Sequence, residues 1–126
     1  MNPNLIESSE VLFRAVQEYP HLWKGNRPSS LIFRHENGVS VDRDGDRTDD
    51  EVCDFLQSNL SAHKLKAIVS VTAEQCKEID VLAVPREIES NPYHAEIHDS
   101  ETKMLISKAK ARSLAISCRI VKNLSD

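Results

Sequence analysis

The chemistry in this chain is concentrated in Asn91-Pro92-Tyr93-His94-Ala95-Glu96-Ile97, which sets a turn former, an aromatic ring, an imidazole and a carboxylate in one short span. An imidazole near a carboxylate can move protons close to neutral pH. Arg14 lies within the apolar run Glu10–Val16, where a charge needs either a partner or a ligand. Ser40 lies in a second apolar stretch, Val39–Arg43. Gathered by folding, Arg14, Ser40, His94 and Glu96 form a candidate catalytic set: a cation for an anionic group, a hydroxyl, an imidazole and a carboxylate. The structural alternative is a fixed corner. Asn91 can bond its own backbone and open a turn, Pro92 stiffens that turn, and Tyr93 packs. His94 and Glu96 would then reach back to Arg14, Arg34 or Arg43. Asn91, Tyr93, Arg34 and Arg43 are therefore the candidate members of a polar corner.

No metal site is expected. His94 and His98 are four apart and would share one face of a helix, yet no third ligand accompanies them. His94-Ala95-Glu96-Ile97 resembles the opening of a zinc deaminase motif, but the Pro-Cys-x-x-Cys that completes such a site is missing, since Cys118 is the one cysteine after His94. Asp42, Asp44 and Asp46 have the spacing that opens a calcium loop, but Arg47 stands where the turn glycine belongs and Cys53 where the closing carboxylate belongs. A helix start explains that acidic run better. Thr48 and Glu51 make a capping box, and Asp49 and Asp50 sit at the positive end of the helix dipole.

Composition bounds the partners. The chain has 126 residues, a net charge of −4 and 40% hydrophobic residues, which fits one globular domain. The acidic balance argues against nucleic acid. Cys53, Cys76 and Cys118 form no close pair and suit a reducing, cytoplasmic setting. The first residues lack a basic start and an apolar core, so they are not a secretory signal. No apolar run approaches the roughly 20 residues that span a bilayer, so no membrane partner is expected.

These residues must be positioned by a small sheet and its helices. Residues 1–9 read as frayed. Glu10–Val16 reads as a first strand, and Tyr19–Pro28 as a loop. Ser29–Arg34 and Val39–Arg43 read as the arms of a β-hairpin turning at Asn37-Gly38, since both turn residues tolerate positive φ. A helix follows over 49–60, with Val52, Phe55, Leu56 and Leu60 as its apolar stripe. Leu65–Val71 reads as a strand, Thr72 with Gln75 caps a short helix to Glu78, and Ile79–Val84 reads as a further strand. Residues 87–99 read as irregular. Ser100 then caps a long helix to Val121, apolar along Met104, Ala111, Leu114, Ala115 and Cys118. Its far side is basic, through Lys103, Lys108, Lys110, Arg112, Arg119 and Lys122. The expected fold is a single α+β domain over residues 1–126: a small mixed or antiparallel sheet with a β-hairpin, one face covered by the two main helices.

Two resemblances bear on function. Arg14 on the first strand, Ser40 on a later one and Glu96 further on resemble the order in some compact ADP-ribosyltransferases. That likeness implies arginine and serine holding a dinucleotide and glutamate stabilising a ribose cation. The Ser-Thr-Ser run and the paired Glu-x-Glu of those enzymes are absent. Phe33-Arg34, Gly38–Arg43 and Asn91–Glu96 together resemble small bacterial open reading frames that pair a GVSVDR hairpin with an NPxHAE stretch. This second likeness implies a self-contained domain and no particular activity. The leading expectation is a non-enzymatic interaction or regulatory module. It would bind a protein partner or a second copy through the long helix or a sheet edge, without a cofactor. The alternative is a compact nucleotide-using enzyme with Arg14, Ser40, His94 and Glu96 in one cleft.

Overall fold

The computed structural model describes residues 1–125. Its strands, in chain order, are β1 (Val11–Gln17), β2 (Trp23–Lys24), β3 (Arg27–Pro28), β4 (Val39–Arg43), β5 (Leu65–Thr72), β6 (Leu82–Pro85), β7 (His94–His98) and β8 (Arg119–Asn123). Its α-helices are α1 (Asp49–Asn59), α2 (Ala73–Ile79) and α3 (Lys108–Ser117). Six strands form one sheet in the order β6-β7-β4-β1-β5-β8, and every neighbouring pair is antiparallel. β2 and β3 form a separate small hairpin around Gly25, within the segment that reads as a loop. The whole is a single α+β domain.

Alternation along β1 builds two cores, one on each face of the sheet. Leu12 and Val16 join Val69, Val71, Val39 and Ile97 beneath α3, which contributes Ala111, Leu114 and Ala115. Phe13 joins Ile68 beneath α1, which contributes Val52, Cys53 and Leu56. Each fully buried side chain of this size stabilises the fold by about 1.5–3 kcal/mol. The two main helices therefore cover opposite faces rather than one face.

Three other expectations are corrected. Ser29–Arg34 is not a hairpin arm. Ser30–Phe33 winds into a 3₁₀ turn, with the Ser29 hydroxyl accepting from Leu31 N–H. The turn lets the consecutive residues Ile32 and Phe33 both enter the core, which a strand with alternating sides does not allow. The Asn37-Gly38 turn itself is present, with Gly38 at φ +90° and its N–H donated to His35 O. Second, His94–His98 is a strand between β4 and β6, not an irregular stretch. Ala95 and Ile97 point into the core while His94, Glu96 and His98 take the other side. Third, the last helix is short. Ser107 is its N-cap, not Ser100, and Cys118 ends it in extended backbone before β8. The basic side expected of one helix is thus divided, with Arg119 and Lys122 on an edge strand.

The two capping boxes form as expected. Thr48 pairs with Glu51, and Thr72 with Gln75. The first nine residues carry no helix or strand, but the carbonyls of Asn2 and Leu5 accept from the buried guanidinium of Arg43. No helix among the described residues is long and apolar enough to cross a membrane.

One irregularity positions the site. β1 pairs with β5 along its whole length, and β4 pairs with β7 from Val39 to Asp42. Between themselves, β1 and β4 share only the pairs Leu12↔Arg43 and Phe13↔Asp42. Past Phe13 the two central strands part.

Candidate functional site

A cavity of about 470 Å³ opens where β1 and β4 separate. Its polar border includes Arg14, Arg34, Ser40, Asn91 and His94, and its apolar border includes Phe13, Leu22, Leu56 and Leu60. Leu31 and Ile88 also border it, and they are 45% and 43% exposed, so apolar surface is left for something to cover. Pockets of this size, apolar with a few converging polar groups, suit small-molecule ligands. A smaller cavity of about 130 Å³ adjoins it through Arg14 and Ser40 and is bordered also by His35, Asn37, Gly38 and Glu96.

Arg14 bridges the gap between the strands. Its Nε donates to Ile32 O at 3.0 Å and its Nη1 to Ser40 O at 2.9 Å, main-chain acceptors that no strand partner takes. Nη2 makes no hydrogen bond, and no carboxylate pairs with the guanidinium among the described residues. Loss of hydration inside the fold pulls its pKa down to about 10, with no neighbouring acid to counter the effect. Arg34 is alike in one respect. Its Nε donates to Ile106 O at 3.0 Å, and it forms no ion pair among the described residues.

Arg43 makes the contrast. It is 1% exposed and binds Glu10 through both carboxylate oxygens, at 2.6 and 2.7 Å. Burial raises the Glu10 pKa, but the hydrogen bonds from Arg43 and from the Glu7 N–H outweigh it and hold the carboxyl below its ordinary value. Arg43 is fully employed in the fold, whereas Arg14 carries a charge with no anion.

The corner around Asn91 exists with other partners than expected. Asn91 Oδ1 accepts from Tyr93 N–H at 2.9 Å, closing the turn, and its Nδ2 donates to Asp42 Oδ1 at 2.7 Å. Asp42 also meets Arg47 at 3.3 Å. The Arg47 guanidinium stacks 3.6 Å from the centre of the Tyr93 ring, which stands edge-on to Phe55. Such stacking contributes about 0.5–2 kcal/mol. His94 Nδ1 lies 2.8 Å from Arg86 O, and Glu96 lies 2.8 Å from His98 Nε2 and 3.6 Å from Arg86 Nε. Neither His94 nor Glu96 bonds to Arg14, Arg34 or Arg43, which corrects the expected tie. β7 explains the difference. Pairing with β4 sets Ser40 beside Glu96 and Asp42 beside His94, so these side chains share a sheet face and meet cross-strand neighbours first.

No family model, curated protein or solved structure matches this chain. The site is therefore read from its geometry alone. Arg14, Ser40 and His94 border the larger cavity together, while Glu96 borders only the smaller one. Asp42, Arg47 and Arg86 are the supporting residues that local sequence patterns miss. The signal for Arg47 was present in Asp42-Arg43-Asp44-Gly45-Asp46-Arg47, where an arginine replaces the glycine of a calcium loop. Among the described residues, no group of three histidine, cysteine or acidic side chains is placed to hold a metal ion.

Proposed function

We propose that this protein is a binding module for a small anionic ligand with an apolar body, held between β1 and β4. The observation that carries this reading is Arg14: a desolvated guanidinium at a cavity, held in place by two carbonyls and lacking a carboxylate. A half-buried charge without a counter-ion is costly, and a ligand carboxylate or phosphate relieves that cost. Arg34 adds a second cation to the wall. Phe13, Leu22, Leu56 and Leu60 supply the apolar contact, and exposed Leu31 and Ile88 give the ligand more to cover. Three free cysteines accord with action in a reducing compartment such as the cytoplasm.

A second reading keeps the nucleotide-using enzyme. It is favoured by Arg14, Ser40 and His94 bordering one cavity. Against it, Glu96 is engaged by His98 and Arg86 rather than free to stabilise a reacting ribose. The module that docks a protein on a long basic helix is supported less, since that surface is split between α3 and β8.

A thermal-shift screen tests the proposal. The panel contains small aromatic and aliphatic carboxylates, aryl phosphates and nucleoside monophosphates. A ligand at a hundred times its Kd adds about 2.7 kcal/mol to stability. Several panel members raise the midpoint of the wild type and none does so in Arg14→Met. A panel without any Arg14-dependent shift overturns the proposal. Turnover of NAD or a nucleotide that requires His94 would establish the enzyme in its place.

A further inference from the structure

We infer that His94 selects the ligand: its Nε2 is a hydrogen-bond acceptor in the cavity wall, so the site takes anions that also carry a hydroxyl or N–H. This inference rests on the anion-binding reading above and adds the class of ligand.

His94 Nδ1 is 2.8 Å from Arg86 O. A carbonyl oxygen has no proton to donate, so Nδ1 carries the proton in this contact. In the neutral ring that assignment leaves a lone pair on Nε2. Nε2 has no hydrogen-bond partner among the described residues, on a side chain that borders the cavity. The Arg86 carbonyl belongs to the same ladder that holds β6 to β7, because Arg86 N–H donates back to His94 O at 3.0 Å. The ring is therefore oriented by the sheet rather than by a mobile loop.

The other open acceptors of the wall, the Ser40 hydroxyl, Gln17 Oε1 and Asn59 Oδ1, belong to side chains that can also donate. Arg14 and Arg34 can only donate. Asp42, the cross-strand neighbour of His94, is an acceptor already taken by Asn91 at 2.7 Å and Arg47 at 3.3 Å. Asn91 in turn spends its Oδ1 on Tyr93 N–H. His94 Nε2 thus supplies an acceptor that cannot also donate, set against two cationic donors. A ligand that meets both carries its negative charge toward the arginines and a donor hydrogen toward β7. A plain apolar anion that covers Nε2 shuts it from water without giving it a partner, and a site built around a hydrogen bond discriminates strongly against a ligand that lacks it.

The test uses matched probes at about pH 8, where an imidazole is ordinarily neutral. Phenylacetate is compared with meta- and para-hydroxyphenylacetate, and phenyl phosphate with its hydroxyphenyl counterparts. Titration calorimetry on the whole protein gives the affinities, and long-range proton–nitrogen NMR follows the two nitrogens of His94. One hydroxylated member of a pair binds on the order of tenfold tighter than its parent, and the Nε2 resonance moves only with that member. In His94→Phe the preference between the two members of a pair disappears. Arg14-dependent binding of parent and hydroxylated probes alike, with an unmoved Nε2, overturns the inference and leaves the anion site standing. Failure of every probe to show Arg14-dependent binding overturns both. The NMR signature in the unmodified protein decides the matter even where His94→Phe does not fold.

Discussion

Arg14 and Arg43 lie on adjacent strands of one sheet in opposite settings, one without an anion and one bonded to Glu10. Replacing each by methionine separates the two by stability. For Arg14, desolvation lowers the pKa from 12.5 to about 10. At about 1.4 kcal/mol per pH unit, discounted for solvent reaching the cavity, that is a cost of about 2–3 kcal/mol for keeping the charge. Arg14→Met removes this cost. It also removes two hydrogen bonds to carbonyls, each worth about 1.5 kcal/mol for a charged donor. The two effects nearly cancel, so Arg14→Met changes the unfolding free energy by less than about 1.5 kcal/mol. The sign with pH follows from a folded pKa below the unfolded one: the cost is present at neutral pH and is relieved as pH rises past about 10. Arg43→Met has no such compensation. It strands the Glu10 carboxylate, whose side chain is only 12% exposed, at a cost of about 3–5 kcal/mol. In a domain of this size the midpoint falls by on the order of 10–20 °C, against less than about 5 °C for Arg14→Met. Urea and thermal unfolding of both variants provide the assay. Equal large losses would refute the reasoning, since Arg14 would then be a structural residue like Arg43.

Further expectations follow from the same geometry. Glu10 has a depressed pKa, so its bond to Arg43 contributes fully above the unfolded carboxyl value of about 4.3 and is lost as pH falls through the lower folded value; the midpoint difference between wild type and Glu10→Gln should be constant at neutral pH and shrink in acid. Gly38→Ala should cost about 2 kcal/mol in a denaturant titration, because a Cβ there would stand 2.6 Å from the His98 ring at φ +90°. Gly25→Ala, at φ +63° with open space around it, should cost about 1 kcal/mol, and equal costs would argue against the close approach of His98. Burial pushes the Cys76 thiol up to about 12 and, against the pull of Arg27, Cys118 up to about 11. Neither thiol should react with an aromatic disulfide reagent at about pH 8 until the protein unfolds; rapid labelling of the native protein would contradict this.

The parts of the fold that local patterns reveal are those where one signal dominates. β1, β5, α1 and α2 follow from apolar runs and capping boxes, because a Thr with Glu or Gln three residues on satisfies helix N–H groups whatever surrounds it. Ser29–Arg34 misleads because Leu31-Ile32-Phe33 has strand composition, yet two consecutive residues have to be buried and only a helical turn does that. His94–His98 misleads in the other direction. Its polar residues suggest a loop, and its apolar positions alternate over only five residues. At the end of the chain, helical spacing continues formally through Ile120 and Val121, but these β-branched residues lie in β8 instead, where Ile120 pairs with Val69 and the register shifts at Val121. The candidate site was legible as far as Arg14, since a charge in an apolar strand needs explanation on any fold. That Arg14, Ser40 and His94 share a cavity depends on where β1 and β4 part, a property of the whole sheet. That His94 meets the Arg86 carbonyl depends on the β6–β7 register, which no local motif states.

The central claim is that the Arg14 guanidinium is kept open for a ligand anion. The most direct measurement is the side-chain Nε–H resonance of Arg14 in a nitrogen-labelled sample titrated with meta- and para-hydroxyphenylacetate and the hydroxyphenyl phosphates. The account predicts that at least one of these shifts the resonance saturably, together with those of Arg34 and His94, while Arg43 stays unmoved in its bond to Glu10. Shifts confined to exposed lysines and the chain ends, with Arg14 unchanged up to the highest concentration of every probe, would contradict it.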